Sequence, residues 1–186
     1  MHKNFPKIFA FLDKYDKTIF KNINTKTGII YRNYLAKKRD AELTKIAKQC
    51  KKNRNQFFVS NDIKLAIKFG ADGVYIPSFN RTKSFANLAK KNIMVIGSAH
   101  NQREIKEKIE QKCSVIFLSP IFSMEKYKKF LGLHKFNYLS HNNNINIFAL
   151  GGITERNINK LKLLNIKGFG GIRMFKKKPA YKRPVF

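Results

Sequence analysis

Short apolar runs alternate with amphipathic stretches along this whole chain, and the alternation occurs eight times. The runs are KIFAFL (7–12), GIIYR (28–32), QFFVS (56–60), VYI (74–76), IMVI (93–96), SVIFL (114–118), IFAL (147–150) and GFGGI (168–172). Brief, unbroken apolar segments of this kind are the pattern of strands buried on both faces of a parallel sheet. Helical patterns fill the gaps: a short one over 14–22, then a long one over 35–52 with Leu43, Ile46 and Ala47 on one face. A third, opened by Asn61-Asp62 and closed by Gly70, carries Leu65, Ala66 and Phe69. A fourth spans 81–91 with Phe85, Leu88 and Ala89 inward, a fifth spans 102–112 with Ile105 and Ile109, and a sixth spans 132–140. The last carries Ile158, Leu161, Leu164 and Ile166, with Thr154 as its cap. Eight β–α units predict an α/β chain folded as a compact (β/α)8 TIM barrel. An open doubly wound sheet is the alternative, and the even count and the lack of GxGxxG after the first strand argue against it.

The stretch from Phe148 to Phe175 concentrates glycine at two strand ends, Gly151-Gly152 and Gly170-Gly171. Glycine lets backbone N–H groups approach an anion with no Cβ in the way. In an eight-fold barrel the loops after strands 7 and 8 commonly hold a phosphate. The same glycines also suit tight strand-to-helix turns, so the two readings stand side by side. If they form a phosphate site, a bulky residue at position 152 should weaken ligand binding and leave the fold intact.

The 186 residues are 43% hydrophobic, enough for one globular domain over 1–186 with a basic, proline-interrupted, non-helical tail from about 176. Lys and Arg total 39 against 11 Asp and Glu, a net charge of +28. Such a field draws anionic ligands. The lysines are scattered and no aromatic–basic nucleic-acid motif accompanies them, which speaks against sequence-specific nucleic-acid binding. Cys50 and Cys113 have no metal or redox spacing and read as reduced thiols in a cytoplasmic protein. No apolar run approaches the length of a membrane span, which argues against a membrane partner. A second copy of the chain, in a homo-oligomer, is a further partner compatible with the sequence.

Four segments at these strand ends resemble the thiamine phosphate synthase/TenI superfamily: GADGVY (70–75), IGSAH (96–100), LSPIF (118–122) and ALGGI (149–153). The resemblance runs from about Lys7 to Phe175. It implies an enzyme of thiamine biosynthesis acting on phosphorylated small molecules. The synthase branch joins hydroxymethylpyrimidine diphosphate to a thiazole phosphate and releases pyrophosphate. The TenI branch includes a tautomerase of the thiazole phosphate. By register the resemblance assigns Arg32 to the diphosphate clamp and Asp62 to Mg²⁺, with Asn61 and Asn80 as further oxygen donors. Several positions depart from the pattern. Ile30 and Tyr34 replace a Gln and a Lys, Asn80 replaces the second magnesium carboxylate, and the loop after strand 6 is SMEKY (123–127) with its lysine shifted.

His100 is the acid/base candidate, because an imidazole takes and releases protons near neutrality. Ser98 and Ser119 offer hydroxyls, and either can equally cap a loop. Lys126, with Lys128 and Lys129, can supply cations missing from the clamp. Arg173 can face a phosphate or solvent, depending on where strand 8 ends. Three functions follow: a synthase using Arg32, Asp62 and the glycines; a TenI-like tautomerase using His100 without metal; and a non-catalytic phosphate- or nucleic-acid-binding barrel.

Overall fold

The computed structural model describes residues 5–34, 36, 39–125, 128–172 and 174–176. Eight parallel strands pair in chain order and close into a barrel: β1 Ile8–Leu12, β2 Thr27–Tyr31, β3 Phe57–Ser60, β4 Gly73–Ile76, β5 Met94–Ala99, β6 Val115–Leu118, β7 Asn146–Leu150 and β8 Gly168–Gly171. The seam joins β8 to β1, with Phe9 opposite Gly170 and Ala10 opposite Gly171. The α-helices are α1 Lys17–Asn22, α2 Asp40–Asn53, α3 Ile63–Lys68, α4 Gln102–Glu110 and α5 Gly132–His141. In place of α-helices, 3-10 segments occupy Lys83–Lys91, Ile158–Leu163 and Met174–Lys176. Among the described residues no helix is long and apolar enough to cross a membrane.

Strand residues alternate between two apolar layers, as the period of two demands. Inside the barrel lie Phe9, Phe11, Ile30, Phe58, Tyr75, Ile96, Val115, Phe117, Phe148 and Leu150. The residues between them, such as Ala10, Ile29, Val59, Val74 and Ile116, face outward and pack with Leu43, Ile46, Phe85, Ile105 and Phe136 from the helical layer. Barrel interiors are mostly filled by branched aliphatic residues. Here six aromatic rings fill much of the space, meeting edge to face. Phe9 lies 5.2 Å from Phe117 and 5.6 Å from Phe58, Phe11 lies 5.4 Å from Tyr75, and Phe117 lies 5.5 Å from Phe148.

Rings of this size fit because neighbouring strand positions have no side chain. A Cβ at Gly28 would stand 2.4 Å from the Phe9 ring, one at Gly73 2.8 Å from Phe58, and one at Gly168 2.4 Å from Phe148. A Cβ at Gly170 would stand 2.7 Å from Phe11. Gly170 therefore has a packing reason to be glycine whatever it does for a ligand.

Several expectations from the periodicity change. The long helix begins at Asp40, and Cys50 joins Leu43 and Ile46 on its buried side, with Ala47 only half-buried. In α3 only Ala66 is buried, and Ile67 is exposed. In α4 the residue beside Ile105 that goes inward is Lys108, at 0% exposure, while Ile109 is 39% exposed. The buried ammonium has found polar partners there, as described below. Thr154 is bonded through its backbone: its N–H donates to Asn157 Oδ1 at 2.8 Å. Lys176 ends a 3-10 turn, so the basic tail starts inside structure; residues 177–186 and the Ala89 side chain lie outside what is described.

The ring-for-glycine fit predicts a coupling. Gly28→Ala should destabilise the fold by about 1–3 kcal/mol through overpacking against Phe9. Adding Phe9→Leu should recover part of that loss, although Phe9→Leu alone is destabilising. Urea unfolding of the three variants measures the coupling, and strictly additive effects would contradict the fit.

Candidate active site

The C-terminal ends of the strands form one mouth, where barrel enzymes place their chemistry. Arg32 follows β2. Its N–H donates to Leu12 O at 2.8 Å, and its guanidinium forks onto Asp13, with Nε to Oδ1 at 3.2 Å and Nη2 to Oδ2 at 3.3 Å. The Arg32 charge reaches the Tyr75 hydroxyl inside the barrel. Burial pushes that phenol up to about 12, and Ser98 and then Arg32 act in the opposite direction. Ser98 is buried and lies against Tyr75, so its hydroxyl belongs to the upper interior of the barrel.

His100 joins three strand ends. Its Nδ1 lies 2.7 Å from Ser119 O, and its Nε2 lies 3.1 Å from Ser78 Oγ. A carbonyl only accepts, so Nδ1 carries the proton in the neutral ring, and the network assigns Nε2 as the acceptor of the Ser78 hydroxyl. Ser119 Oγ stands 3.2 Å from Nδ1, and the His100 N–H donates to Glu104 Oε2 at 2.7 Å. The imidazole is exposed and presents its basic edge at the mouth.

Asn61 after β3 and Asn80 after β4 are in contact, while Asp62, next to Asn61 in the chain, turns its carboxylate to α3 and Arg39. Asn61 has φ 59°, a left-handed conformation that asparagine tolerates. Its Oδ1 accepts from Asn80 Nδ2 at 2.5 Å, and Asn80 Oδ1 accepts from Thr82 N at 2.8 Å. Asp62 caps α3 by accepting from Leu65 N at 2.9 Å through Oδ1, while Oδ2 faces Arg39 Nη1 at 3.5 Å. All four side-chain oxygens are thus engaged by protein donors, and two of them belong to the single carboxylate, one of which faces a cation. Among the described residues no cluster of three acidic, His or Cys side chains could hold a metal ion. Mg²⁺ takes a near-octahedral set of oxygens, and this donor set does not fit one.

The Asn80 loop is held from below. Buried Lys108 donates through Nζ to Asn80 O at 2.7 Å and to Gln111 Oε1 at 2.8 Å. Gln111 Nε2 donates to Asn80 O at 3.0 Å and Thr82 O at 2.9 Å. Burial lowers the Lys108 pKa, and Cys113 and then Glu107 oppose that shift.

Gly151 and Gly152 have φ of 90° and 72°. A Cβ at 151 would meet Pro120 at 2.8 Å, and one at 152 would meet Phe122 O at 2.4 Å. The loop after β6 lies directly on them: Ile121 N donates to Leu150 O at 3.0 Å and Phe122 N to Gly151 O at 3.2 Å. A bulky residue at 152 would therefore disturb the fold, contrary to the expectation from sequence. The N–H groups of Gly151 and Gly152 donate to no acceptor among the described residues, which leaves them free for an anion. A Cβ at Gly171 would meet Met174 Sδ at 2.3 Å. Lys126 and Arg173 lie outside the described residues, while Lys128 and Lys129 are exposed.

Sequence reasoning missed Asp13, Arg39, Ser78, Lys108 and Gln111. Ser78 and Asp13 each stand within two residues of a strand end, which is a usable signal. Arg39, Lys108 and Gln111 sit in helical surroundings, where a charged or polar residue ordinarily faces solvent.

Fold and mouth together define a (β/α)8 barrel with arginine, imidazole and free backbone N–H groups at its C-terminal face. The thiamine monophosphate synthase (TMP-TENI) family model matches residues 20–175, and the chain belongs to that family. It is 33% identical over 124 residues to a thiamine-phosphate synthase of Prochlorococcus marinus, covering 65% of this chain and 35% of that protein. It therefore spans about a third of that relative's length. With a thiamine-phosphate synthase of Clostridium perfringens it shares 30% identity over 149 residues, covering 76% of this chain and 72% of the relative. The fold is similar to that of thiamine phosphate pyrophosphorylase from Pyrococcus furiosus, with a TM-score of 0.76 at 18% identity over 94% of this chain and 90% of that one.

Lys108 predicts a pH signature. Its folded pKa lies below the ordinary 10.5. Between the two values the unfolded chain binds more protons, so stability from this group rises with pH in that window. Measured by urea unfolding, wild type should gain on Lys108→Met as pH climbs toward 10.5. A constant difference would show that Lys108 is not desolvated.

Proposed function

We propose that this chain joins hydroxymethylpyrimidine diphosphate to a thiazole phosphate and releases pyrophosphate, as a cytoplasmic enzyme of thiamine biosynthesis. The observation that carries the reading is the presence of two separate anion-competent groups at one mouth. Arg32 stands at the end of β2, and the free Gly151 and Gly152 N–H groups stand at the end of β7. A reaction between two phosphorylated substrates needs two such places. Family membership and the thiamine-phosphate synthases among the relatives support the choice of substrates.

In this reading the thiazole phosphate sits on the glycine N–H groups, where backbone dipoles meet its charge. Arg32 takes the diphosphate, exchanging Asp13 for a more highly charged partner of matching fork geometry. Its pyrophosphate leaves with the electron pair of the bond to carbon as the thiazole nitrogen forms the new bond. Cations positioned where that charge develops lower the barrier. Lys128 and Lys129 are available for this, with Lys126 and Ser119 on the adjoining segment. Ser98 and the Tyr75 hydroxyl close the bottom of the site.

One observation favours a second reading. The Ser119 carbonyl holds His100 in the Nδ1–H tautomer and leaves Nε2 as a base at the mouth. That arrangement suits a TenI-like tautomerase, which moves a proton on the thiazole without metal.

Incubation with both substrates, reading thiamine phosphate by fluorescence after oxidation, tests the first reading. Product should form, and Arg32→Ala should lower kcat by about 100-fold, the scale of losing one transition-state donor. His100→Ala should leave that rate within a few fold. If no product forms while wild type isomerises thiazole phosphate and His100→Ala does not, the tautomerase is the function.

A further inference from the structure

Family register places a divalent cation at Asp62, yet the structure puts a different cation there. Arg39, directly before α2, is 8% exposed. Its Nη2 donates to Ser60 O at 2.9 Å, and its Nη1 lies 3.5 Å from Asp62 Oδ2. Its guanidinium carbon stands 5.3 Å from the Tyr31 ring centroid. Arginine keeps its proton throughout the ordinary pH range, so this is a permanent positive charge held in place by a carbonyl, a carboxylate and an aromatic face. A divalent ion on Asp62 Oδ2 would have to sit beside it, in surroundings where like charges are poorly screened.

The other two oxygen donors reinforce the point. Asn80 stands where a second carboxylate would be needed, and its amide is bonded on both sides, to Asn61 and to Thr82 N. The loop that carries it is fixed by a second buried cation, Lys108. No second carboxylate stands with Asp62 in a group of three metal-ligating side chains among the described residues, Arg39 lies on Asp62, and Lys108 lies on the backbone of Asn80.

We propose that the end of β3 in this chain is not a divalent-metal site, and that Arg39 is the built-in counter-cation of Asp62. The chain then binds its anionic ligands without a metal ion of its own, a consequence that rests on the phosphorylated-substrate reading above.

Mn²⁺, followed by electron paramagnetic resonance, is the direct probe. Wild type in excess should leave the free Mn²⁺ signal undiminished. Asn80→Asp alone should also leave it, because Arg39 remains. The double variant Arg39→Met/Asn80→Asp should bind Mn²⁺ at least tenfold more tightly than either protein. Uptake of about one equivalent by wild type, abolished in Asp62→Asn, would overturn the proposal. If the double variant does not fold, the wild-type, Asn80→Asp and Asp62→Asn comparison still decides. In a second arm, calorimetry of inorganic pyrophosphate should give affinities within threefold in EDTA and in Mg²⁺. Binding at least tenfold tighter with Mg²⁺, and dependent on Asp62, would overturn the proposal. Thiamine phosphate is titrated alongside. Its failure to bind in either buffer would refute the functional reading, and the Mn²⁺ result would still decide this one.

Discussion

Everything at the mouth depends on a barrel interior that closes around aromatic rings. Phe9 and Phe117 sit at its centre, each touching three or more other rings. Edge-to-face contacts at these distances are directional, so the rings hold one another's orientation as well as excluding water. The β1–β8 seam closes over the same cluster, because Phe9 lies opposite Gly170 and Phe11 packs where a Gly170 side chain would be. Glycine and phenylalanine therefore act as pairs on neighbouring strands. The backbone ladder and the strand count set the barrel's width, and these pairs fill that fixed interior, steadying the strand ends from which the mouth loops leave.

Above that plug the loops are tied to one another. His100 bridges the ends of β4, β5 and β6 through Ser78 and Ser119. The loop after β6 lies on Leu150 and Gly151 of β7. Asn61 after β3 is bonded to Asn80 after β4, which Lys108 of α4 and Gln111 just beyond it hold in place. Arg32 after β2 is bonded to Asp13 after β1. These links run from β1–β2 and from β3 through β7, so side chains that are distant in sequence are held by a common frame. Preorganisation of this kind lets dipoles and cations act without reorienting as charge develops.

The architecture was legible in the sequence because each strand is a short apolar run, and an apolar run needs no partner to be recognised. The places of the candidate residues in the fold were legible, but not their bonds. Arg32, Asp62, Asn80 and His100 were found at strand ends, and all four are there. Asp62 read as a metal ligand from the family resemblance, and its partner Arg39 could not be seen because it lies 23 residues earlier, in a segment patterned as helix. Lys108 was invisible for a related reason. A lysine in a polar helix is ordinarily solvated, and only the three-dimensional placement of the Asn80 and Gln111 oxygens makes its burial tolerable. The glycines were ambiguous for a different reason. Gly151-Gly152 and Gly170 look alike as letters, yet the first pair has left-handed backbone beside another loop, whereas Gly170 gives space to a ring.

An enzyme that handles a diphosphate must supply positive charge, either as a metal ion held by carboxylates or as cations built into the chain. Three carboxylates at the mouth support the second course for the proposed function. Asp13 holds Arg32, Asp62 holds Arg39 and caps α3, and Glu104 accepts from the His100 N–H and from Asn101. Each of these three acids is occupied in positioning a base or a backbone group. With a net charge of +28 around them, the same field that draws a phosphate toward the mouth repels a free divalent ion. Under the proposed reading, an anion at this site exchanges Asp13 for itself on Arg32 and needs no metal ion to do so.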